Sequence, residues 1–411
     1  MLPKLSRYLL VLLTIITLAY VLPAVYNTLF DTRINTPFVT YSELKKEYFV
    51  MRNIDGKPAF VDRNKKVYTQ QEFMDVTPIA NFQYHLSRGT LPDTLNGVKL
   101  NAQQLQHESI FQFISPENLY TPSYGLYPLF ESEPEFGLRF PADVFRINER
   151  VEFIDAKTNK INAAKSETYT TAFKQLGFVF PAKLAAGIPS VMKRRDQGWF
   201  IEDRAGQLFH LKMVKGQPYF KKVPNPEKVS FKHILCNDFD SDEFYAVVIS
   251  DDNHLYTINK ADYSLSKFPI NNYNPEKQTV MISGNLFNKT ISVMDDEAVK
   301  VYTVDRKYQP IDQFKETLPL KSEMAIGKIF QALFPFYLNV SSPYTDFIKM
   351  ALVRVSGNSW IFLNGILLIV SLVLMRREGR KIGGSIPDLL IVAVTGIFGF
   401  LAIWMFPNKT Y

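Results

Sequence analysis

The sequence predicts a mostly β external domain carried on three transmembrane α-helices. Three observations predict it. One apolar run near the start and two near the end are long and uncharged enough to cross a bilayer. The stretch between them is polar and breaks into short alternating runs that read as strands. One hairpin pattern recurs at a nearly constant interval, which is the mark of a propeller-like architecture.

The 411 residues carry a formal net charge of +7 and are 46% hydrophobic, a balance that fits a globular domain with a few spans. Lys and Arg are spread along the chain, so the excess reads as a solvated surface with some lipid-headgroup attraction, and no nucleic-acid partner follows. With a single cysteine, Cys236, the chain makes no internal disulfide. An external domain of this size is stable by core burial alone.

Residues 1–30 read as the N-terminal anchor. Lys4 and Arg7 precede an apolar run over 8–26, about 19 residues, longer than the 7–15 of a signal peptide and ending in Pro23 and Tyr26 without an Ala-x-Ala-like site. Residues 359–411 read as a transmembrane hairpin with spans over 360–375 and 389–406. Between them lies the basic knot Arg376, Arg377, Arg380 and Lys381. Short Lys- and Arg-rich loops stay in the cytoplasm, so the knot and the pair Lys4 and Arg7 share one side. The N-terminus is then inside, the large domain outside and the C-terminus outside.

Residues 31–320 form the extracytoplasmic β-rich domain. Five runs look alike: 59–68, 152–161, 199–211, 247–258 and 291–302. Each pairs an alternating apolar segment with a second one across a turn of Asp, Asn, Gly or Lys residues, which tolerate the backbone that tight turns demand. The second residues of four of them, Phe153, Phe200, Val248 and Ser292, recur at intervals of 47, 48 and 44, close to a four-stranded propeller blade. Phe60 precedes Phe153 by 93, as if a divergent blade or an insertion intervened. No Trp-Asp or Gly-His signature accompanies the repeats, which leaves another mostly β domain open. The intervening 84–142 is rich in turns, with a short helix over 101–108 and many Pro and Tyr residues over 116–141. A helix-like run covers 170–176. Residues 321–358 read as a membrane-proximal helical segment, with Ile326, Phe330, Leu333 and Phe334 on one face.

Residues that carry chemistry are few. His85, His107, His210, His233 and His254 show no metal-ligand spacing. Asp238, Asp240 and Asp242 alternate like the first half of a calcium loop, but Glu243 stands where the turn needs Gly and Ile249 where a bidentate carboxylate belongs, so a solvated acidic turn is the better reading. No nucleophile elbow and no phosphate loop is present, and neither a cofactor nor a catalytic residue is assigned. Thr395 and Gly399 are spaced as a small-xxx-small pair beside Gly396. Asn364 in the second span calls for a hydrogen-bond partner on a neighbouring helix, in this chain or in another subunit.

The N-terminal anchor, the Leu91-Pro92-Asp93 turn, the Tyr127-Pro128-Leu129-Phe130-Glu131-Ser132 stretch, the Phe145-Arg146-Ile147 strand and the two C-terminal spans together resemble an uncharacterised family of bacterial inner-membrane proteins with a large periplasmic domain. Its members are typically encoded beside ABC-type transporter components. The resemblance implies a non-catalytic accessory or scaffold subunit whose partners are membrane lipid and a transporter permease and ATPase. It transfers no site residues. A membrane-anchored sensor and a hydrolytic enzyme with its site in the β domain are the alternatives.

Overall fold

The computed structural model describes residues 2–30, 36–54, 56–120, 123–341, 348–380 and 382–408. The chain divides into two compact units: Thr36–Glu316, and a second unit made of Met1–Asn35 with Thr317–Tyr411. The second unit contributes the first element, helix α1 (Leu2–Leu29).

Within Thr36–Glu316 the chain is mostly antiparallel β. Sheet I is a meander of β1 (Phe38–Ser42), β2 (Glu47–Ile54), β3 (Lys57–Asp62) and β4 (Val67–Tyr68). An insertion follows: α2 (Gln70–Val76), α3 (Phe82–Arg88), the small hairpin β5 (Thr94–Leu95) and β6 (Val98–Lys99), α4 (Ala102–His107), β7 (Ile110–Ile114) and α5 (Pro116–Leu119). Sheet II holds β8 (Tyr127–Pro128), β9 (Asp143–Ile147) and β10 (Val151–Asp155), and α6 (Ala163–Gln175) packs on it. Sheet III is β11 (Ala182–Gly187), β12 (Trp199–Asp203), β13 (Leu208–Val214) and β14 (Gln217–Lys222). Sheet IV is β15 (Phe231–Cys236), β16 (Phe244–Ser250), β17 (Leu255–Asn259) and β18 (Leu265–Lys267). Sheet V is β19 (Thr279–Gly284), β20 (Asn288–Met294), β21 (Ala298–Asp305) and β22 (Pro310–Thr317), with β7 added beside β19.

Local sequence explains these elements. Thr69 and Glu72 close a capping box at the start of α2, and the Asn162 side chain accepts from the Lys165 N–H at the start of α6. Lys65, Asn159, Gly206 and Asn253 take positive φ at the hairpin turns, a conformation that Gly and Asn adopt most cheaply. The hairpins of 199–211, 247–258 and 291–302 are the two central strands of sheets III, IV and V. Strand β12 is buried at all five positions, as a central strand packed on both faces must be. The 152–161 run differs: Ile161 makes a single bridge to Ile154, and β10 pairs instead with β9. The helix-like run at 170–176 is the second half of α6, which starts seven residues earlier.

Neighbouring sheets share apolar cores in the order II, III, IV, V. Phe145, Phe153, Trp199, Phe209 and Leu211 join sheets II and III. Phe200, Leu208, Ala246, Val248 and Ile258 join III and IV. Val247, Ile249, Leu255, Val280 and Ile291 join IV and V. Fully buried Phe, Leu and Ile side chains of this kind stabilise by about 1.5–3 kcal/mol each. Sheet I adjoins sheet V through the Tyr48 hydroxyl, which donates to Thr303 Oγ1 or the Asp312 carbonyl at 2.8 Å, and through the Arg63–Asp312 pair at 2.7 Å.

The other unit contains α1, α7 (Ala325–Leu333), a hairpin of β23 (Phe336–Ser341) and β24 (Lys349–Arg354), α8 (Trp360–Arg377), α9 (Ile382–Thr395) and α10 (Ile397–Met405). The segment expected to be helical over 321–358 is therefore half β. The amphipathic face of α7 packs within the unit, where Phe330 and Phe334 lie against the Tyr26 ring and the Tyr26 hydroxyl donates to the Ile326 carbonyl at 2.7 Å. Two helices, over Lys4–Leu29 and Trp360–Arg377, are long and apolar enough to cross a membrane, and most of their surface faces outward.

The expected third span over 389–406 is not one helix. It breaks at Gly396, whose φ of 61° and ψ of −130° suit glycine alone, and the chain reverses there. The reversal follows from Arg7: its guanidinium holds Asp388 at 2.8 and 2.9 Å while its Nε donates to the Phe406 carbonyl at 2.7 Å. A continuous helix would separate residues 388 and 406 by roughly 27 Å at 1.5 Å per residue. Asn408 likewise returns to the Gly384 carbonyl. At the turn, Val394 and Thr395 line a cavity with Ile15, halfway along α1. Hence α9 and α10 form a helical hairpin whose two ends lie close together, in place of the single continuous span expected over 389–406.

Candidate functional site: a basic cleft at the loop end of sheets II to IV

In a four-stranded meander, the loops joining strands 1–2 and 3–4 emerge at the same end. At that end, sheets II, III and IV surround a cleft of about 890 Å³. Lys193, Arg194 and Arg195 come from the β11–β12 loop, Lys212 from β13, Tyr245 from β16, and Lys260 from the β17–β18 loop. Five cations line the cleft against two carboxylates, Asp196 and Asp242.

The floor is rigid. Lys193 and Asp196 form an ion pair at 2.5 Å, with side chains only 2% and 1% exposed. Lys193 also donates to the Ile188 carbonyl and lies over the Phe130 ring, while Asp196 accepts from the Ser132 hydroxyl at 2.7 Å. A buried pair survives only when its remaining hydrogen-bonding capacity is met in this way. Glu131 pins the opposite wall by accepting from the Lys215 and Gly216 N–H groups of the β13–β14 turn. Beneath lies His210, fully buried and stacked on Phe200 at 4.2 Å. The Gln197 carbonyl can only accept, so His210 Nε2 carries the proton and Nδ1 accepts from the Tyr263 hydroxyl at 2.9 Å. Burial, helped by the nearby Lys212 charge, pushes the imidazole down to about 3, so it is neutral and structural at ordinary pH.

The upper cations differ from one another. Arg194 and Arg195 meet Asp240 and Asp242 at 3.2–3.7 Å, in pairs that are well exposed. Lys260 donates to the Ser241 carbonyl at 2.6 Å and lies 5.8 Å from the Tyr245 ring centre. Lys212 lies 5.0 Å from the same ring, and no carboxylate among the described residues is within ion-pair distance of it. Burial pushes Lys260 down to about 8, with Arg195 and Lys212 adding to the shift and Asp242 opposing it. Burial also lowers Lys212, opposed at longer range by Asp196 and Glu133.

The residues singled out from sequence fall elsewhere or serve other ends. Asp238, Asp240 and Asp242 do not converge as a calcium loop would: Asp238 accepts the Arg194 N–H at 3.1 Å, and the other two face Arg194 and Arg195. Among the described residues no group of three or more His, Cys, Asp or Glu side chains is placed to hold a metal. Asn364 donates to the Ala393 carbonyl at 3.0 Å, and Thr395 to the Ile391 carbonyl at 2.7 Å, so both serve the α9–α10 turn. A Cβ on Gly396 would meet Asn364 Oδ1 at 2.3 Å, and one on Gly399 would meet Thr395 Oγ1 at 2.1 Å. Lys4 is exposed, but Arg7 is neutralised by Asp388, which removes half of the N-terminal charge from the orientation argument. In the knot, Arg376 and Arg377 are exposed, Arg380 pairs with Glu378 and lies over Trp404, and Lys381 falls outside the described residues.

Within Thr36–Glu316, then, serial antiparallel sheets meet at a polar cleft, in a chain that also bears two long apolar helices. The chain belongs to the family described as "Domain of unknown function (DUF4857)", whose profile matches residues 38–304. No curated protein matches it. Among solved structures it is similar to one titled "Structure of Dos1 propeller", at 15% identity over 70% of this chain and 62% of that one, with a TM-score of 0.24. It is also similar to "Dihydro-heme d1 dehydrogenase NirN in complex with DHE", at 8% identity over 66% of this chain and 68% of that one, with a TM-score of 0.23. The chain thus spans less than two thirds of the Dos1 propeller chain, and similarity at this level carries no argument about fold or function.

Proposed function

We propose that the protein is a non-catalytic accessory subunit of a bacterial inner-membrane transporter of the ABC type. In this reading α1 and α8 cross the membrane, the α9–α10 hairpin enters it from the cytoplasmic side and returns, and the domain over 36–316 lies in the periplasm. The domain is propeller-like, with sheets I to V as five blades and sheet I adjoining sheet V, and it presents a binding surface to a partner or ligand.

The observation that carries this reading is that one chain combines two outward-facing apolar helices with a β domain whose cleft is lined by charged and aromatic side chains. The exposed Arg376 and Arg377 at the end of α8 support the cytoplasmic placement of that end. Affinity purification of the full chain from mild detergent, followed by mass spectrometry, tests it. Co-purification of a permease and an ATPase is the expected result. Recovery of the chain alone, with hydrolytic activity on envelope substrates, would overturn it.

A further inference from the structure

The cleft between sheets II, III and IV contains a charge arrangement that the fold itself does not need. Lys193 is fully engaged with Asp196, Ile188 and Phe130, so it belongs to the floor. Arg194 and Arg195 have carboxylate partners at the rim. Lys212 and Lys260 remain, the latter donating to the neutral Ser241 carbonyl at 2.6 Å. Their ammonium groups flank the Tyr245 ring at 5.0 and 5.8 Å, and neither has a carboxylate within ion-pair distance among the described residues. Two half-buried ammonium groups facing one cavity repel each other, and an aromatic face offsets this only partly. Removing water from an ammonium costs several kcal/mol unless an opposite charge replaces it.

We propose that this cleft is a binding site for a small organic dianion, a phosphate monoester or a dicarboxylate, gripped between Lys212 and Lys260 over the Tyr245 ring. Two cations that no carboxylate neutralises match two negative charges on the ligand. Arg194 and Arg195 sit at the entrance, where their exposed pairs with Asp240 and Asp242 can exchange for a ligand oxygen at little cost. The cavity volume falls within the range of small-molecule sites. The lowered proton affinity of both lysines agrees with an excess of positive charge in the empty site. The site rests on this geometry and stands whether or not the chain assembles with a transporter.

The test uses the full chain in detergent, titrated calorimetrically with glycerol 3-phosphate and with succinate, and the full chain in nanodiscs with and without phosphatidate. Saturable binding in one arm, weakened at least about tenfold by Lys212→Gln and by Lys260→Gln and unchanged by Lys57→Gln, exposed on sheet I, is expected; the arm that binds identifies the source of the dianion. Because Lys212→Gln removes an uncompensated charge, the unliganded variant should also melt about 2 °C higher than the parent. Each lysine is replaced separately, so misfolding of one variant leaves the other to decide. No saturable binding in any arm, or binding indifferent to both lysines, overturns the proposal.

Discussion

Removing the carboxylate of Asp388 should unseat the α9–α10 hairpin, and the size of the effect follows from three hydrogen bonds. Arg7 reaches Asp388 through two parallel contacts of 2.9 and 2.8 Å and the Phe406 carbonyl through a third of 2.7 Å. The Asp388 side chain is 0% exposed and that of Arg7 11%. Asp388→Asn forfeits two charge-assisted bonds of about 1.5–3 kcal/mol each and leaves the guanidinium without its counter-charge, so the expected loss is about 3–5 kcal/mol. The double variant Arg7→Met with Asp388→Leu removes both charges together and should recover to within about 1 kcal/mol of the parent. The assay is tryptophan-fluorescence melting in detergent, since Trp360 and Trp404 both lie in this unit. If Asp388→Asn shifts stability by less than about 0.5 kcal/mol, or if the two single losses simply add in the double variant, the clamp is not what closes the hairpin.

Four further outcomes are expected. Gly396→Ala should cost at least about 2 kcal/mol in the same melt, because it meets both a positive φ and Asn364 Oδ1. His210 gives the β domain an acid limit: between pH 6.5 and about 3 the unfolded chain takes up a proton that the folded chain refuses, so this contribution is complete above pH 6.5 and is lost as pH falls. Urea titrations at pH 7.5 and 5 should differ by about 2 kcal/mol in the parent and by less in His210→Phe. Burial pushes the Cys236 thiol up to about 12, so maleimide should modify it only after denaturation. That silence makes the parent a clean background for topology: in intact cells, Arg377→Cys and Asn408→Cys should resist labelling from outside together, while Asp251→Cys labels, and a split between the first two would disprove the hairpin.

The sequence marked the turns between strands 2 and 3 of sheets III, IV and V because Gly and Asx residues interrupt two alternating runs there, with left-handed backbone at Gly206 and Asn253. The cleft lies at the opposite end of the same strands, in loops whose one sequence signal, the alternating Asp238, Asp240 and Asp242, reads as a solvated acidic turn and not as the rim of a basic cleft. Lys193-Arg194-Arg195 reads in sequence as a solvated basic run, and only the fold brings it beside Lys212, Tyr245 and Lys260. The period of those hairpins, extended to the far ends of their strands, was the available clue. In the apolar unit, Gly396 and Asn364 were visible as a small residue and a polar one, but chain reversal was not, because composition alone does not separate one 18-residue helix from two short ones. Asp388 stands one residue outside the apolar run and Arg7 one residue outside another, so each read as a flank until the fold paired them.

Strand β7 carries a consequence for how the domain is assembled. It pairs with β19, Ile110 opposite Gly284, across 174 residues of sequence. A ribosome delivers β7 well before its partner exists, so a strand with Ile110, Phe111, Phe113 and Ile114 waits unpaired while sheets II, III and IV are being made. The last sheet to be synthesised is therefore also the one that recovers the earlier strand, and completion of the domain is a late, long-range event. A chain stalled or truncated before residue 279 should expose that strand and aggregate, whereas one carried past residue 305 can close.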